Sequence, residues 1–493
     1  MIRPVSDYTK SVAELSRFIG VQTDFDLQFT GITADSKSVV PGDLFIALPG
    51  TKVHGASYID DVVASGAVVV LTDDQGSNLI NSKLPVIRLA DPRRQLGDIC
   101  SWFYNSPSSA LKIAGVTGTN GKTTTTTILN QILNFAGKST GLIGTIGIEI
   151  GPEKIAANFT TPEASELQSI FAVMQERHIS QVAMEVSSHA LEARRVSGTR
   201  FALVGFTNLT QDHLDFHGDM NSYFAAKSKL FTPEFSELGL INIDDHFGKE
   251  LFNNSQIPVI SLARENRSAQ WHYERAEIKT RGYSVTIRGT GGILIEGEIN
   301  LIGDHNLDNV LMAVAIASEF EVDPIVIGNS LKYLQGATGR LESIDIGQKF
   351  LALVDYAHTP DAVTRTLATL RSSVAGRIIG VLGCGGDRDK TKRPIMGREL
   401  LNGSDFAIFT SDNPRSEDPE DILKEMTNEL TLGENSAVVV DRREAIALAV
   451  ASALPGDCVV VLGKGHEVGQ EIAGKKFAFD DRIELARAIE ELA

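Results

Sequence analysis

Gly115-Val116-Thr117-Gly118-Thr119-Asn120-Gly121-Lys122-Thr123-Thr124-Thr125-Thr126-Thr127 separates a strand-like run from a helix-like run. Glycines at 118 and 121 let successive N–H groups turn inward toward phosphate oxygens. Lys122 adds a point charge for the outer phosphates, and the Thr123 hydroxyl can ligate Mg²⁺. The helix that follows aims its positive end at the same anion. The general pattern G-x-x-x-x-G-K-[ST] asks for glycine at Val116, so the loop departs from it while keeping all its working parts. A nucleoside triphosphate is the ligand these residues specify, and a glycine-rich helix start with no ligand is the plain alternative.

Working outward, Leu111–Val116 reads as the buried strand entering the loop. Thr123–Phe135 has helical periodicity, with Ile128, Leu129, Ile132 and Leu133 on one side. Gln181–Val186 and Leu203–Leu209 read as further buried strands that end in polar residues, where parallel α/β sheets bind ligands. Beyond Gly339 the strand candidates are Phe350–Tyr356, Arg377–Gly383, Phe406–Ser411, Ala437–Asp441 and Cys458–Gly463. They alternate with helix candidates, notably Arg443–Leu454 and Arg482–Leu492, which predicts a second parallel, doubly wound sheet. Before the loop, short strands such as Asp43–Leu48 and Ala67–Leu71 mix with short helices. The chain is thus read as α/β in three domains: 1–110, a small α/β domain; 111–338, a P-loop ATPase-like parallel sheet; and 339–493, a Rossmann-like domain.

The 493 residues suit about three cores at ~100–200 residues each. Lys plus Arg number 46 against 63 Asp plus Glu, a net charge of −17 that argues against nucleic acid or an anionic membrane as partner. Cys100, Cys384 and Cys458 are too scattered for a disulfide framework or a zinc site. No apolar run approaches the ~18 residues of a membrane span, and the first residues lack a signal-like apolar core, so a cytoplasmic protein is expected.

Several polar clusters fall at the predicted strand ends. Glu185-Val186-Ser187-Ser188-His189 closes one middle-domain strand, and Asn208 to Asp215, containing His213, follows the next. Near a phosphate loop such carboxylate and imidazole groups suit Mg²⁺, although either segment alone could be a capped polar loop. Lys227, in a helix-like stretch, reads from spacing as a solvated surface charge. The asparagine-rich helix start around Asn306 suits either an adenine edge or a cap. The third domain carries four clusters: Asp355–Pro360, Gly385–Lys390, Ser411–Arg415 and Gly463–Glu467. Convergence of four charged loops on one sheet edge is the pattern of a substrate site.

With these segments in view, the chain resembles the Mur ligases, ATP-dependent enzymes that build the peptide of bacterial cell-wall precursors. T-G-T-N-G-K-T-T, E-V-S-S-H-A-L, D-H-L-D-F-H-G, V-D-Y-A-H-T-P-D, D-N-P-R and G-K-G-H-E match in order and over the whole length. Asp35-Ser36-Lys37 and Pro41–Phe45 are similar to the uridine-binding domain of the member that adds the third amino acid. The resemblance implies transfer of the ATP γ-phosphate to a substrate carboxylate, then attack by an amino acid on the acyl phosphate. It implies ATP contacts at Gly118, Thr119, Asn120, Gly121, Lys122, Thr123, Thr124, Asn306, Arg340 and Asp355. Metal positions, for two Mg²⁺ ions, fall on Thr123, Glu185, His213 and Lys227, the lysine being carbamylated by CO₂. Lys122, Lys227, His213 and Arg340 are the implied catalytic set.

The muramoyl-peptide positions fall on Ser36, Thr51, Lys52, Val53, Thr160, Thr161, Ser187 and Arg195. Phe159 stands where the family pattern has asparagine, and Ala193 where it has glutamine. Arg388, Asp412, Asn413, Pro414, Arg415, Gly463 and Glu467 are the implied amino-acid site. The implied partners are ATP, UDP-N-acetylmuramoyl-L-alanyl-D-glutamate and meso-diaminopimelate, acting on a monomer. Diaminopimelate differs from lysine by a far-end carboxylate, which Arg415 can bind bidentately while Glu467 faces the ammonium. The alternatives are the same ligase adding L-lysine or another diamino acid, a folylpolyglutamate synthetase-like ligase, and a P-loop ATPase that ligates nothing.

Overall fold

The computed structural model describes residues 1–50, 52–279 and 282–492. Thr51, one of the expected uridine-side contacts, lies outside the described residues. The chain divides into two compact units. One comprises Met1–Ala276, Val285–Gly297 and Asp308–Leu331; the other comprises Glu277–Ser284, Glu298–Leu307 and Lys332–Ala493.

In the first unit, Gly31–Thr33, Asp43–Ala47, Val69–Thr72 and Val86–Arg88 form a four-stranded parallel sheet in chain order. Its strands are almost wholly buried runs of Val, Ile, Leu and Phe, as a sheet covered on both faces requires. The same unit holds a larger sheet. Its middle is six parallel strands in the order Thr140–Gly144, Gln181–Glu185, Lys112–Thr117, Leu203–Phe206, Gly239–Asn242 and Val259–Ala263. Lys112–Thr117 thus delivers the phosphate loop between the strands ending at Glu185 and Phe206. The strand order reverses there, the place where such sheets bind ligands.

The helix Lys122–Phe135 begins one residue earlier than its periodicity suggests, with Gly121 as a left-handed cap at φ 87°. Its burial is not one-sided. Thr124, Thr125, Thr126, Thr127 and Asn130 are buried along with Ile128, Leu129, Ile132 and Leu133. A threonine run tolerates this because each hydroxyl can bond back to the preceding turn, as Thr126 does to the Lys122 and Thr123 carbonyls.

The second unit carries a six-stranded sheet in the order Glu342–Ser343, Leu351–Asp355, Cys458–Leu462, Ile378–Leu382, Phe406–Phe409 and Ser436–Val438. All neighbours are parallel except the first pair. Its two faces are filled by separate apolar clusters, one including Leu367, Leu400 and Met426, the other Ile446, Val450 and Leu485. The strand expected at Ala437–Asp441 is Ser436–Val438 instead. Asp441 accepts from the N–H groups of Arg443 and Glu444 and starts the helix Arg442–Ala451. Capping geometry outweighs strand propensity there.

Candidate functional site

Around the phosphate loop the backbone is shaped as the sequence requires. Gly118 has φ 144°, and a Cβ there would lie 1.9 Å from the Thr207 hydroxyl. A Cβ on Gly121 would lie 2.2 Å from Asn309 Oδ1. Only glycine fits at either place. The loop is tied to the neighbouring strand end. Thr119 N donates to the Asn208 carbonyl (2.8 Å), Asn120 N to Asn208 Oδ1 (3.0 Å), and Thr207 Oγ1 to the Asn120 carbonyl (2.6 Å). Lys122 Nζ bonds the Gly118 and Thr119 carbonyls, both at 2.8 Å, so its charge lies folded over the loop.

Glu185 ends its strand with a fully buried carboxylate. It accepts from Thr123 Oγ1 (3.0 Å), Thr145 N (2.7 Å) and Thr145 Oγ1 (3.2 Å). Burial pushes its pKa up despite Lys122 and these bonds. Thr123 and Glu185, both hard oxygen donors, therefore meet as a Mg²⁺ site would require. Among the described residues no cluster of three His, Cys, Asp or Glu side chains could hold a metal. Any such site must then draw on threonine hydroxyls, water, substrate or a modified lysine.

Lys227 is the sharpest departure from the spacing-based reading. It is 1% exposed, not solvated, and its ammonium donates to the Gly118 carbonyl at 2.7 Å and sits 4.6 Å from the Tyr223 ring. Burial, with Lys122 as a like charge, drives its pKa well down. His213 is exposed, in a left-handed conformation (φ 53°), and packs edge-on against His189 at 4.7 Å. His217 bonds Ser188 Oγ at 2.9 Å. These imidazoles and Tyr223 form one aromatic wall beside Lys227.

The muramoyl-peptide set splits. Thr160 bonds Thr145 (3.0 Å), Thr161 Oγ1 donates to the Glu185 carbonyl (2.9 Å), and Ser187 N donates to Thr161 Oγ1 (3.1 Å). Arg195 joins them through the Thr161 carbonyl at 3.2 Å. Its guanidinium lies 4.5 Å from the centre of the Phe159 ring, so the residue that departs from the family pattern makes a cation–π shelf. Ser36 sits in a short turn capped by Asp35, while Lys52 and Val53 are exposed.

In the second unit all four polar clusters emerge at the carboxyl edge of the parallel sheet, because Asp355, Leu382 and Leu462 share one register row and Phe409 pairs Leu382. Asn306 is buried, its amide donating to the Ile302 carbonyl at 2.8 Å. Buried Asp355 accepts from Leu341 N (2.8 Å) and Ala357 N (2.9 Å), and burial raises its pKa. The Arg340 guanidinium is 5.1 Å from the Tyr356 ring centre.

Asp412, Asn413, Pro414 and Arg415 form the centre of that edge. Asn413 Oδ1 accepts from Lys464 Nζ (3.1 Å) and Glu471 N (2.9 Å), while its Nδ2 donates to Glu467 Oε2 (2.8 Å). Lys464 also donates to Glu467 Oε2 at 3.1 Å. Burial pushes the Glu467 carboxyl up, but Lys464 and Asn413 outweigh it and hold the pKa below its ordinary value. Arg415 donates to the Gly386 carbonyl at 2.6 Å. Buried Asp412 is raised in pKa by desolvation. A Cβ on Gly463 would lie 2.7 Å from Asp412 Oδ2, so glycine is needed there. Pro414 is buried, and Arg388 is exposed on the adjoining loop.

Three supporting residues escape a sequence reading. Lys464 is fully buried inside the G-K-G-H-E motif, where the motif itself was the only signal. Arg442 is buried with Asp481 at 2.7 Å and donates to the Ser411 and Leu462 carbonyls, just before Asp412 and Gly463. Glu417 binds Arg393 (2.8 Å), Lys390 (2.8 Å) and the Asp387 N–H (2.6 Å). The partners of Arg442 and Glu417 lie 20 to 39 residues away and carry no local pattern.

A phosphate loop at the switch point of a parallel sheet is the mark of a nucleotide-using protein, and comparison with known proteins gives its class as a ligase. Residues 28–104 match the model described as Mur ligase family, catalytic domain. Residues 116–317 match Mur ligase middle domain, and 339–465 match Mur ligase, glutamate ligase domain. The UDP-N-acetylmuramoyl-L-alanyl-D-glutamate--2,6-diaminopimelate ligase of Streptomyces avermitilis is 44% identical, covering 99% of this chain and 98% of its own. The ligase of the same name from Streptomyces coelicolor is also 44% identical, with the same coverage. A solved structure of a ligase of that name superposes with a TM-score of 0.74 at 30% identity, over 99% of both chains. The chain belongs to the Mur ligase family. Among the described residues no helix is long and apolar enough to cross a membrane.

Proposed function

We propose that this protein is the ATP-dependent ligase that joins meso-2,6-diaminopimelate to UDP-N-acetylmuramoyl-L-alanyl-D-glutamate, releasing ADP and phosphate. The observation that carries the amino-acid choice is Arg415, a partly buried guanidinium that donates to the Gly386 carbonyl, on the same loop as Asn413, whose amide bonds Lys464 and Glu467. A carboxylate at the far end of the substrate meets a bidentate partner in Arg415, whereas lysine leaves that guanidinium without one. The shared name of the full-length relatives supports the same reading.

Lys122 neutralises the charge that develops as the γ-phosphoryl group moves to the D-glutamyl carboxylate, and the loop N–H groups position it. The amino acid's amine then attacks the acyl carbon, and phosphate leaves from the tetrahedral adduct. Arg195 holds the muramoyl peptide by a carboxylate, with Thr160, Thr161 and Ser187 beside it. Ser36, Lys52 and Val53 serve the uridine end, with Thr51 carried over from the family pattern. Gly118, Thr119, Asn120, Gly121, Thr123, Thr124, Asn306, Arg340 and Asp355 are the proposed ATP contacts. Arg388, Asp412, Asn413, Pro414, Arg415, Gly463 and Glu467 are the proposed amino-acid contacts.

Thr123, Glu185, His213 and carbamylated Lys227 would hold Mg²⁺, which when bound screens the phosphate charges. Carbamylation adds CO₂ to the neutral Lys227 amine with loss of a proton. Burial and Lys122 favour that neutral amine over the ammonium, and the carbamate it forms is an anion that attracts Lys122. Three domains, at 1–110, 111–338 and 339–493, a monomeric state and a cytoplasmic location complete the proposal. The test is ADP release and product mass with purified protein, ATP, the muramoyl dipeptide and a panel of amino acids. Tripeptide product with diaminopimelate is expected; ATP turnover without any product contradicts the ligase reading.

A further inference from the structure

The hairpin formed by Gly469–Ile472 and Lys475–Ala478 lies outside every site motif, yet it grips the Asp412–Arg415 loop along its length. Gln470, 8% exposed, donates its side-chain amide to the Asp412 carbonyl (2.7 Å) and to Ser411 Oγ (3.2 Å). Glu471 N donates to Asn413 Oδ1 at 2.9 Å. Arg415 N donates to the Glu471 carbonyl (2.9 Å), and Ala473 N donates to the Arg415 carbonyl (2.6 Å). The Glu471 carboxylate lies 3.9 Å from Arg415 Nε.

Arg415 itself has φ 54°, a left-handed conformation that is strained for a non-glycine residue and persists only where its surroundings hold it. The hairpin supplies that hold. It bonds both the N–H and the C=O of Arg415 and, through Glu471 N, joins Lys464 of the preceding loop in fixing which way the Asn413 amide faces.

We infer that this hairpin is the specificity strap of the amino-acid site, with Gln470 as a positioning residue that sets the aim of Arg415 and Asn413. The inference rests on the amino-acid site proposed above. Gln470 touches no substrate; it acts through the backbone of Asp412 and so through the loop. Its loss leaves the buried Asp412 carbonyl without its donor and frees the loop to relax the strained residue.

The test uses the full-length protein with Gln470→Met, which keeps volume but removes the donor, Gln470→Asn, which keeps a donor, and the half-exposed Glu471→Gln. For Gln470→Met the KM for diaminopimelate should rise roughly tenfold, the worth of one buried hydrogen bond, and discrimination against lysine should fall by a similar factor. The KM values for ATP and the muramoyl dipeptide should stay within about twofold, and Gln470→Asn should recover part of the loss. Amide exchange at 412–416 in the free protein should quicken in Gln470→Met, a readout independent of ligation. Glu471→Gln, which leaves the backbone bonds in place, should shift diaminopimelate KM with unchanged thermal stability. Wild-type turnover with diaminopimelate checks the function separately. Unchanged exchange and unchanged diaminopimelate KM in Gln470→Met, or equal rises in all three KM values, would overturn the strap.

Discussion

The phosphate loop and the proposed amino-acid edge solve the same problem, holding charged side chains ready for a charged ligand, by different means. The loop is contiguous. Its shape comes from two glycines and a helix start, and its lysine is held by two carbonyls of the loop itself. The amino-acid edge is assembled from four loops spread over more than a hundred residues, Asp355 to Glu467. Its charged groups are held by side chains behind them: Lys464 under Asn413, Arg442 and Asp481 under two strand ends, Glu417 across two loops. The backbone-made site takes its outside support from Thr207 and Asn208 at one neighbouring strand end and from Lys227. A side-chain-made site carries its specificity in residues that never meet the substrate.

That contrast can be broken by mutation. Lys122→Ala should lower kcat by about 10³-fold or more with little change in thermal stability, because the loop's shape survives the loss of the charge. A stability loss equal to that of a core mutant would place Lys122 in the scaffold instead. On the other side, Arg442→Met leaves Asp481 buried and unpaired and should cost about 3–5 kcal/mol in urea unfolding. The double variant with Asp481→Leu should recover most of that stability. If it does not, packing rather than charge dominates the pair.

Glu417→Gln should cost less, about 2–3 kcal/mol for weakened charged hydrogen bonds to Arg393, which keeps Glu425. Its pH dependence has a definite sign. Arg393, then Lys390 and the Asp387 N–H, hold the Glu417 carboxyl far below its ordinary value of 4.5. The folded state therefore favours the ionised form, so the contribution is present above that value and disappears as pH falls through it toward the folded pKa. The margin of wild-type protein over Glu417→Gln should be smaller at about pH 3 than at about pH 7 when unfolding is compared. A constant margin would rule out the charge as its source.

The same contrast explains what a reader of the sequence can find. The strands at Lys112–Thr117, Ile378–Leu382 and Cys458–Leu462 are largely apolar runs lying within a residue of where their composition puts them, whereas the one expected at Leu203–Leu209 ends three residues early, at Phe206. The phosphate loop is legible because its physics is local. Lys227 is not, since helical spacing alone puts it on a solvated face; what buries it is the docking of its helix against the distant phosphate loop, where its ammonium meets the Gly118 carbonyl. Thr124–Thr127 mislead in the same way, being polar in composition and buried in fact. Gln470 and Arg442 give no signal because their partners, the Asp412, Ser411 and Leu462 carbonyls, the Ser411 hydroxyl and the Asp481 carboxylate, lie on segments distant in sequence.

The central claim is that Arg415 reads a second carboxylate on the incoming amino acid. Its most direct test is the ratio of kcat/KM for meso-diaminopimelate over L-lysine, measured in wild-type protein and in Arg415→Ala. A wild-type preference of roughly 10⁴ should collapse by a hundredfold or more in the variant, chiefly through loss of diaminopimelate turnover. A wild-type protein that uses lysine equally well, or a ratio unchanged by the substitution, would contradict the account.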